Sequence, residues 1–249
     1  VTILEEPPTI SGAAFMEIDG TSASWRWCPT PAQVAMQDRY TLELSADDGD
    51  NPKTLKHYVL VLNSTTPRIV INEVDYDQIG SDTAEYIELF NSSSAPVSLA
   101  GLQVVLVNGA TSIVYDSIDL SSIGTLAPGR FLVIAGPNVN VPSGAMKLDP
   151  VWSQDKIQNG MPDGVALIDG VTHTVIDALS YEGAITDASL DGFPAPVSLV
   201  EGTLLPATVA DSSTVVRSLC RLPNGGDTND AATDWVVCAT LTPGAENVP

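Results

Sequence analysis

Basic side chains are scarce in this chain: 10 Lys and Arg stand against 31 Asp and Glu, a formal net charge of −21. A surface of that sign repels phosphate backbones and anionic lipid, which excludes nucleic acid as a partner unless a cation bridges the two. Histidine is nearly missing, with only His57 and His173, and cysteine is limited to Cys28, Cys220 and Cys238. A structural zinc site takes about four ligands of these types at close spacing, and the five are too scattered to supply one. No run of about 18 apolar residues occurs, so no membrane insertion is expected. The G-x-S-x-G and P-loop signatures are absent as well. Both histidines sit in strand-like surroundings and read as strand surface or boundary residues, not as parts of a hydrolytic triad.

Charged residues make up only 16% of the chain, against roughly 25% in ordinary soluble domains. Ser, Thr, Gly, Pro and Asn fill the difference, which is the composition of a turn-rich all-β protein. A length of 249 residues suits two domains. The runs "ASWRWC" (23–28), "YTLELSA" (40–46) and "HYVLVLN" (57–63) are short, aromatic or branched, and bounded by turn residues. They fit a small β-sandwich over residues 1–65, and "NSTTP" (63–67) reads as a linker. Residues 66–249 then carry nine strand-like runs, among them "RIVINEV", "EYIELFN", "LQVVLVNG", "RFLVIAG", "DGVALIDG" and "DWVVCA", each closed by Gly, Pro, Asn or Asp. That punctuation predicts a second sandwich. "SQDKIQNG" (153–160) is expected to hold a single helical turn. The start at Val1 and the end in "TPGAENVP" read as cuts in a longer secreted or surface protein.

The stretch "INEVDYDQIGSDTAEYIELFN" (71–91) holds six carboxylates, Glu73, Asp75, Asp77, Asp82, Glu85 and Glu88, with no Lys or Arg among them. In a regular strand Ile69, Ile71, Glu73, Asp75 and Asp77 share one face, opposite Val70, Asn72, Val74 and Tyr76. Pairing of the two strand runs would bring Glu73 close to Glu88. Two adjacent carboxylates need hydrogen-bond donors, a shared proton or a cation. Three readings stay open: acceptors of hydrogen bonds at the sheet end, which is preferred; a divalent cation site; and a catalytic pair. An all-oxygen set favours Ca²⁺ over Zn²⁺. Asp48 and Asp50 in "DGDNP", and Asp227 and Asn229 in "GGDTNDAATD", have a similar look. Neither completes a calcium-binding loop, and local turns stabilised by Asx side chains explain both cheaply. Trp25 and Trp27 share a strand face and read as core or interface, with sugar binding as the other possibility. Cys220 and Cys238 lie in strand-like runs joined by a turn-rich loop, so they are expected to form a disulfide and leave Cys28 unpaired.

Several of these motifs fall together in a familiar order. An apolar strand with a central Glu73 is followed by an acidic loop. Then come Glu85, Tyr86, Ile87, Glu88, Leu89 and Asn91, then Val97, Leu99 and Gly101. Further on stand "LAPGRFLVIAG", "DGVALID" and "SLCRLPNGGDTNDAATDW". Over about residues 67–247 this resembles the lamin-tail domain of bacterial extracellular proteins. The resemblance implies an immunoglobulin-like β-sandwich. "YTLELSADDGDNP" with "HYVLVLN" resembles a bacterial immunoglobulin-like or cadherin-like module; the cadherin-like form would imply Ca²⁺ near Asp47, Asp48 and Asp50. The expectation is therefore an all-β protein of two immunoglobulin-like sandwich domains. Its expected role is adhesion, scaffolding or interaction with an unknown protein or cell-surface partner. The rivals are a metal-dependent hydrolase centred on Glu73, Asp75 and Glu88, and a carbohydrate-binding module using Trp25, Trp27 or Trp152.

Overall fold

A computed structural model describes residues 1–19, 21–30, 33, 39–61 and 68–249. The chain forms two compact units, Val1–Ser64 and Thr65–Pro249. The linker read at 63–67 lies outside the described residues.

The first unit contains β1 (Thr2–Glu5), β2 (Ala13–Asp19), β3 (Ser22–Trp27), β4 (Arg39–Asp47) and β5 (Thr54–Val61). Strands β1, β4 and β5 make one antiparallel sheet in that order, and β2 pairs with β3 as a hairpin. The first two strands were not legible in the sequence, because "TILE" and "AAFMEID" alternate weakly and carry acidic residues. Among the unit's described residues, few are buried; Ile10, Leu42 and Ser45 are.

The second unit is a β-sandwich of immunoglobulin-like type. Its strands are β6 (Ile69–Asp75), β7 (Tyr86–Asn91), β8 (Val97–Ser98), β9 (Leu102–Asn108), β10 (Ile113–Asp119), β11 (Thr125–Leu126), β12 (Phe131–Ala135), β13 (Met146–Leu148), β14 (Asp163–Asp169), β15 (Thr174–Tyr181), β16 (Ser218–Arg221) and β17 (Trp235–Cys238). One sheet has the order β13-β12-β7-β6-β16-β17 and the other β10-β9-β14-β15, with a short β8/β11 ribbon beside them. Pairing is antiparallel except between β12 and β13. The main core lies between the sheets. Ile69, Ile71, Val74, Ile87, Leu89, Leu132, Ile134 and Trp235 from the larger sheet meet Val104, Leu106, Val165, Leu167, Leu179 and Tyr181 from the smaller.

The outer faces are covered too. Val105, Val107, Ala166 and Ile168 pack under Ile185, Leu190 and Leu199, while Tyr86, Val133 and Ala135 pack against Val139 and Val141. Burial on both faces explains why "QVVLV" and "FLVIA" are unbroken apolar runs with no polar alternation.

The helical turn lies elsewhere than expected. Residues 153–160 form an irregular loop, because their backbone N–H groups find partners outside any helix. Lys156 N and Ile157 N donate to Glu85, Gln158 N donates to Tyr115 Oη, and Asp155 N donates to the Asp82 carbonyl. The described α-helical turn in this unit is Ala231–Asp234, capped by Asp230, whose side chain accepts from Thr233 N.

Cys220 and Cys238 form a disulfide across β16 and β17, with Cα atoms 5.9 Å apart, and Cys28 is free and exposed. The closed loop spans 18 positions, for which the chain-entropy account gives about 3 kcal/mol of stabilisation. Reduction under mild denaturant is expected to lower the calorimetric melting temperature of the second unit, and unreduced peptide mapping should recover Cys220 linked to Cys238. Free thiols at both positions would contradict the pairing.

Candidate functional site

The acidic stretch of β6 and β7 folds into a buried polar layer on the outer face of the six-stranded sheet. The strands pair with Ile71 opposite Leu89 and Glu73 opposite Glu88, so β6 carries one extra residue at Asn72. A bulge of this kind switches the faces of everything beyond it. Ile69 and Ile71 point into the core, and so do Val74 and Tyr76, while Glu73 and Asp75 turn to the opposite face. The strict alternation read from the sequence fails at this bulge.

Glu73 and Glu88 are fully buried and form no ion pair among the described residues. Their oxygens accept from the chain itself. Glu73 takes hydrogen bonds from Ser218 Oγ (2.6 Å), Thr242 N (3.3 Å) and Thr242 Oγ1 (2.9 Å). Glu88 accepts from Asn72 Nδ2 (2.8 Å) and Gly244 N (2.6 Å). Burial pushes the Glu88 carboxyl up to about 8 against the pull of these two donors. Tyr86 Oη lies among the same groups, buried and without a well-aligned partner; burial raises its pKa, as do Glu73, Asp75 and Glu88.

The acids thus fasten the segment that follows β17 onto the sheet. Asn247 extends the fastening, its Nδ2 donating to the carbonyls of Asn72 and Arg221. Gly244 is required by the fit: its φ is +85°, and a Cβ there would sit 2.6 Å from Ala145 Cβ.

Asp75 belongs to a second knot at the end of β6. It accepts from Gln78 Nε2 and faces Asp211, which accepts from Tyr76 N, Asp77 N and Ser212 N. Burial raises both carboxyls, and the charge of Asp211 raises Asp75 further. Asp77 continues outward, accepting from Ser213 N and Asn159 Nδ2. Together these bonds lace the loops 76–84, 155–163 and 209–217 into one end of the sandwich. Glu85, in the same region, is pushed up to about 7 by burial, against the two backbone donors of 156 and 157.

The third cluster surrounds Arg221, fully buried on the core side of β16. Its guanidinium lies 2.8 Å from Asp177, 3.1 Å from Asp234, 3.5 Å from Glu201 and 3.7 Å from Asp227, and 4.8 Å above the Trp235 ring. Nε and Nη1 donate to the carbonyls of Ile71 and Gly226. Burial raises Asp177 and Glu201, the Asp177 charge adds to the rise at Glu201, and Arg221 pulls both back down. Oxygens of Asp177, Glu201 and Asp227 come within 4.8 Å of one another, a spacing that could hold a metal ion, but Arg221 already supplies the cation there.

The five candidate metal ligands of the second unit, Glu73, Asp75, Glu88, Asp227 and Asn229, do not form one site. Glu73, Asp75 and Glu88 share a sheet face, with Glu73 and Glu88 committed to the chain's own donors. Asp227 turns to Arg68 and Arg221, and accepts from Asn229 N in a local turn that leaves Asn229 outside the Arg221 cluster. Asp48 accepts from Asp50 N, Asn51 N and Asn51 Nδ2 in the β4–β5 turn, so the Asx-turn explanation describes its geometry. Of the tryptophans, Trp152 is buried in the main core, while Trp25 and Trp27 are half-buried with ring centroids 6.3 Å apart, Trp27 meeting Tyr40 edge-on. His57 is exposed and 2.9 Å from Glu43.

Sequence reasoning missed Arg221, Asp177, Glu201, Asp211 and the Thr242–Asn247 segment. One signal was available: Arg221 follows two positions after core-facing Leu219 in an apolar strand, and a basic residue at such a position in so acidic a chain calls for buried acids.

Comparison with known proteins supports the resemblance for part of the chain: the family model of the Lamin Tail Domain matches residues 63–183. The match ends after β15, so β16, β17, the disulfide and Arg221 lie beyond it. No curated protein matches the chain.

Proposed function

We propose that the chain is a non-enzymatic interaction module of a secreted or cell-surface protein, working in adhesion, scaffolding or the positioning of neighbouring domains. The Lamin Tail Domain match over residues 63–183 supports a sandwich used for contact with other proteins, and the first unit is read from its sequence as an immunoglobulin-like or cadherin-like companion. The observation that carries the reading is the use made of the acidic residues. The hydrolase alternative needs Glu73, Asp75 and Glu88 to present free oxygens to a metal with an open position. Glu73 and Glu88 are instead sealed under the Thr242–Gly244 segment and hydrogen-bonded to it.

The purified chain is expected to turn over no ester, glycoside, phosphodiester or peptide in a chromogenic and fluorogenic panel, with Ca²⁺, Mg²⁺, Mn²⁺ or Zn²⁺ supplied. Turnover that Glu73→Gln abolishes would overturn the reading. Amine labelling of intact cells with an impermeant reagent should tag the chain, and labelling only after lysis would refute the location.

A further inference from the structure

We propose that the laced loop end of the second unit docks a basic segment of a partner protein, seating a lysine or arginine side chain in the cleft beside Met161. The inference rests on the interaction reading above and gives it a site and a partner chemistry. The cleft has a volume of about 320 Å³, enough for one long side chain, and its lining includes Asp155, Gln158, Asn159, Met161, Pro162 and Asp163.

Met161 and Pro162 offer apolar walls for a methylene stem, and carboxylates stand where the charged head would come to rest. Asp155 makes no side-chain hydrogen bond or ion pair among the described residues, and its backbone is held at φ +52° with its N–H on the Asp82 carbonyl. The Asp163 carboxylate is buried in the floor, accepting from Gly160 N at 2.6 Å and Gly109 N at 3.2 Å. Asn159 donates its amide nitrogen to Asp77, which leaves its Oδ1 as a further acceptor.

Two features beyond the cleft set the partner's character. The first is charge. Asp77 and Asp82 are hydrogen-bonded to the cleft residues Asn159 and Asp155, Glu182 accepts from Tyr76 on the adjoining loop, and the whole chain carries −21. Lys156 is the basic residue of this loop, and it does not line the cleft. Such a field accelerates and orients the approach of a basic partner. The second is apolar exposure. Met161 is 81% exposed, and Ile79, Val215 and Val216 are more than half exposed on loops tied to it through Asn159, Asp77 and Ser213. Exposed large apolar side chains on hydrogen-bonded loops beside a charged cleft offer a partner apolar contacts as well as charge. The occupant that meets both demands is a protein segment alternating basic and apolar residues. A free polycation would use the acids alone and leave Met161 uncovered.

The test uses the full chain labelled with ¹³C at the methionine methyls, titrated with a peptide alternating lysine and leucine. The Met161 methyl is expected to shift in a saturable manner while Met146 stays in place. Asp155→Asn should weaken binding about tenfold, the loss of one charge-assisted contact worth about 1.4 kcal/mol. Asp169→Asn, at the other end of β14 and about 20 Å away along the strand, should leave the affinity unchanged. Equal weakening by both variants would reduce the effect to net charge and overturn the site. An unmoved Met161 would overturn it as well. So would an equal Met161 response to spermidine, which would make the cleft a small-polycation site, or to a peptide alternating glutamate and leucine. Failure here leaves the non-enzymatic reading standing, because that reading falls only to turnover in the substrate panel.

Discussion

Replacing Arg221 with methionine is expected to lower the unfolding free energy of the second unit by about 3–5 kcal/mol, the cost typical of removing one partner from a buried ionic cluster. The guanidinium is fully buried and stands among four carboxylates at 2.8–3.7 Å. Methionine fills similar volume, so packing against Trp235 changes little. The loss is electrostatic: Asp177, fully buried, loses its cationic partner while keeping the backbone N–H of Ile71 as a donor, and the Ile71 and Gly226 carbonyls lose theirs. In calorimetry this amounts to a fall of roughly 6–20 °C for a unit of this size. Arg221→Lys should recover only part of the loss, because an ammonium cannot span both carbonyls and the Asp177 carboxylate from one plane. The deficit of Arg221→Met should shrink as pH falls and the orphaned acids take up protons. A cost below about 1 kcal/mol would mean that the charge and hydrogen bonds of Arg221 are dispensable to the fold.

That cluster also marks the limit of what the sequence discloses. The strands of the second unit were legible because "VVLV", "FLVIA" and "VALID" are apolar runs containing Val and Ile and cut by Gly and Asp, and a strand buried on both faces leaves that trace. The proximity of Glu73 and Glu88 was legible too, since two paired strands place their central residues opposite one another. The direction in which they point was not. Asn72 looks like an ordinary strand residue, yet the extra position it creates sends Glu73 and Asp75 away from the face that alternation assigns them. Arg221 is joined to Asp177 and Glu201 across 44 and 20 positions, and Glu73 to Thr242 across 169. Contacts of that range depend on how the sheets stack and where the terminal segment returns, and neither leaves a periodic signal. The short strands β8, β11 and β13, of two or three residues, fall below the length at which alternation can be read at all.

The same buried acids predict that this protein becomes more stable as the solution is acidified from pH 8.5 to about 5. Burial raises Glu88 to about 8 and Glu85 to about 7, and it raises Asp75, Asp177, Glu201 and Asp211 as well. Each native carboxyl then binds a proton at a pH where the unfolded carboxyl, near 4, has lost it. With more protons on the native state than on the unfolded one, stability falls as pH rises. The contribution is fully present below the unfolded pKa and is lost as pH climbs through the folded one, so the window runs from about 4.5 to about 9, where Glu201 is the last to lose its proton. Each proton so bound changes the slope by about 1.4 kcal/mol per pH unit. The exposed acids whose pKa is lowered, such as Asp48 at about 2, act in the opposite direction but only below that window. The expected melting temperature is therefore several degrees higher at pH 5 than at pH 8.5. Relief of general repulsion in a chain of charge −21 would act in the same sense, but salt screens repulsion between surface charges and leaves the buried carboxyls almost untouched. The slope should accordingly survive at 1 M NaCl. Glu88→Gln should lower stability throughout, because its amide nitrogen cannot accept from Gly244, and it should flatten the pH dependence by close to one proton. A melting temperature that is level or rising between pH 5 and 8.5 in high salt would show that these carboxyls are ionised in the native protein, and the buried acidic layer would then need a cation to hold it together.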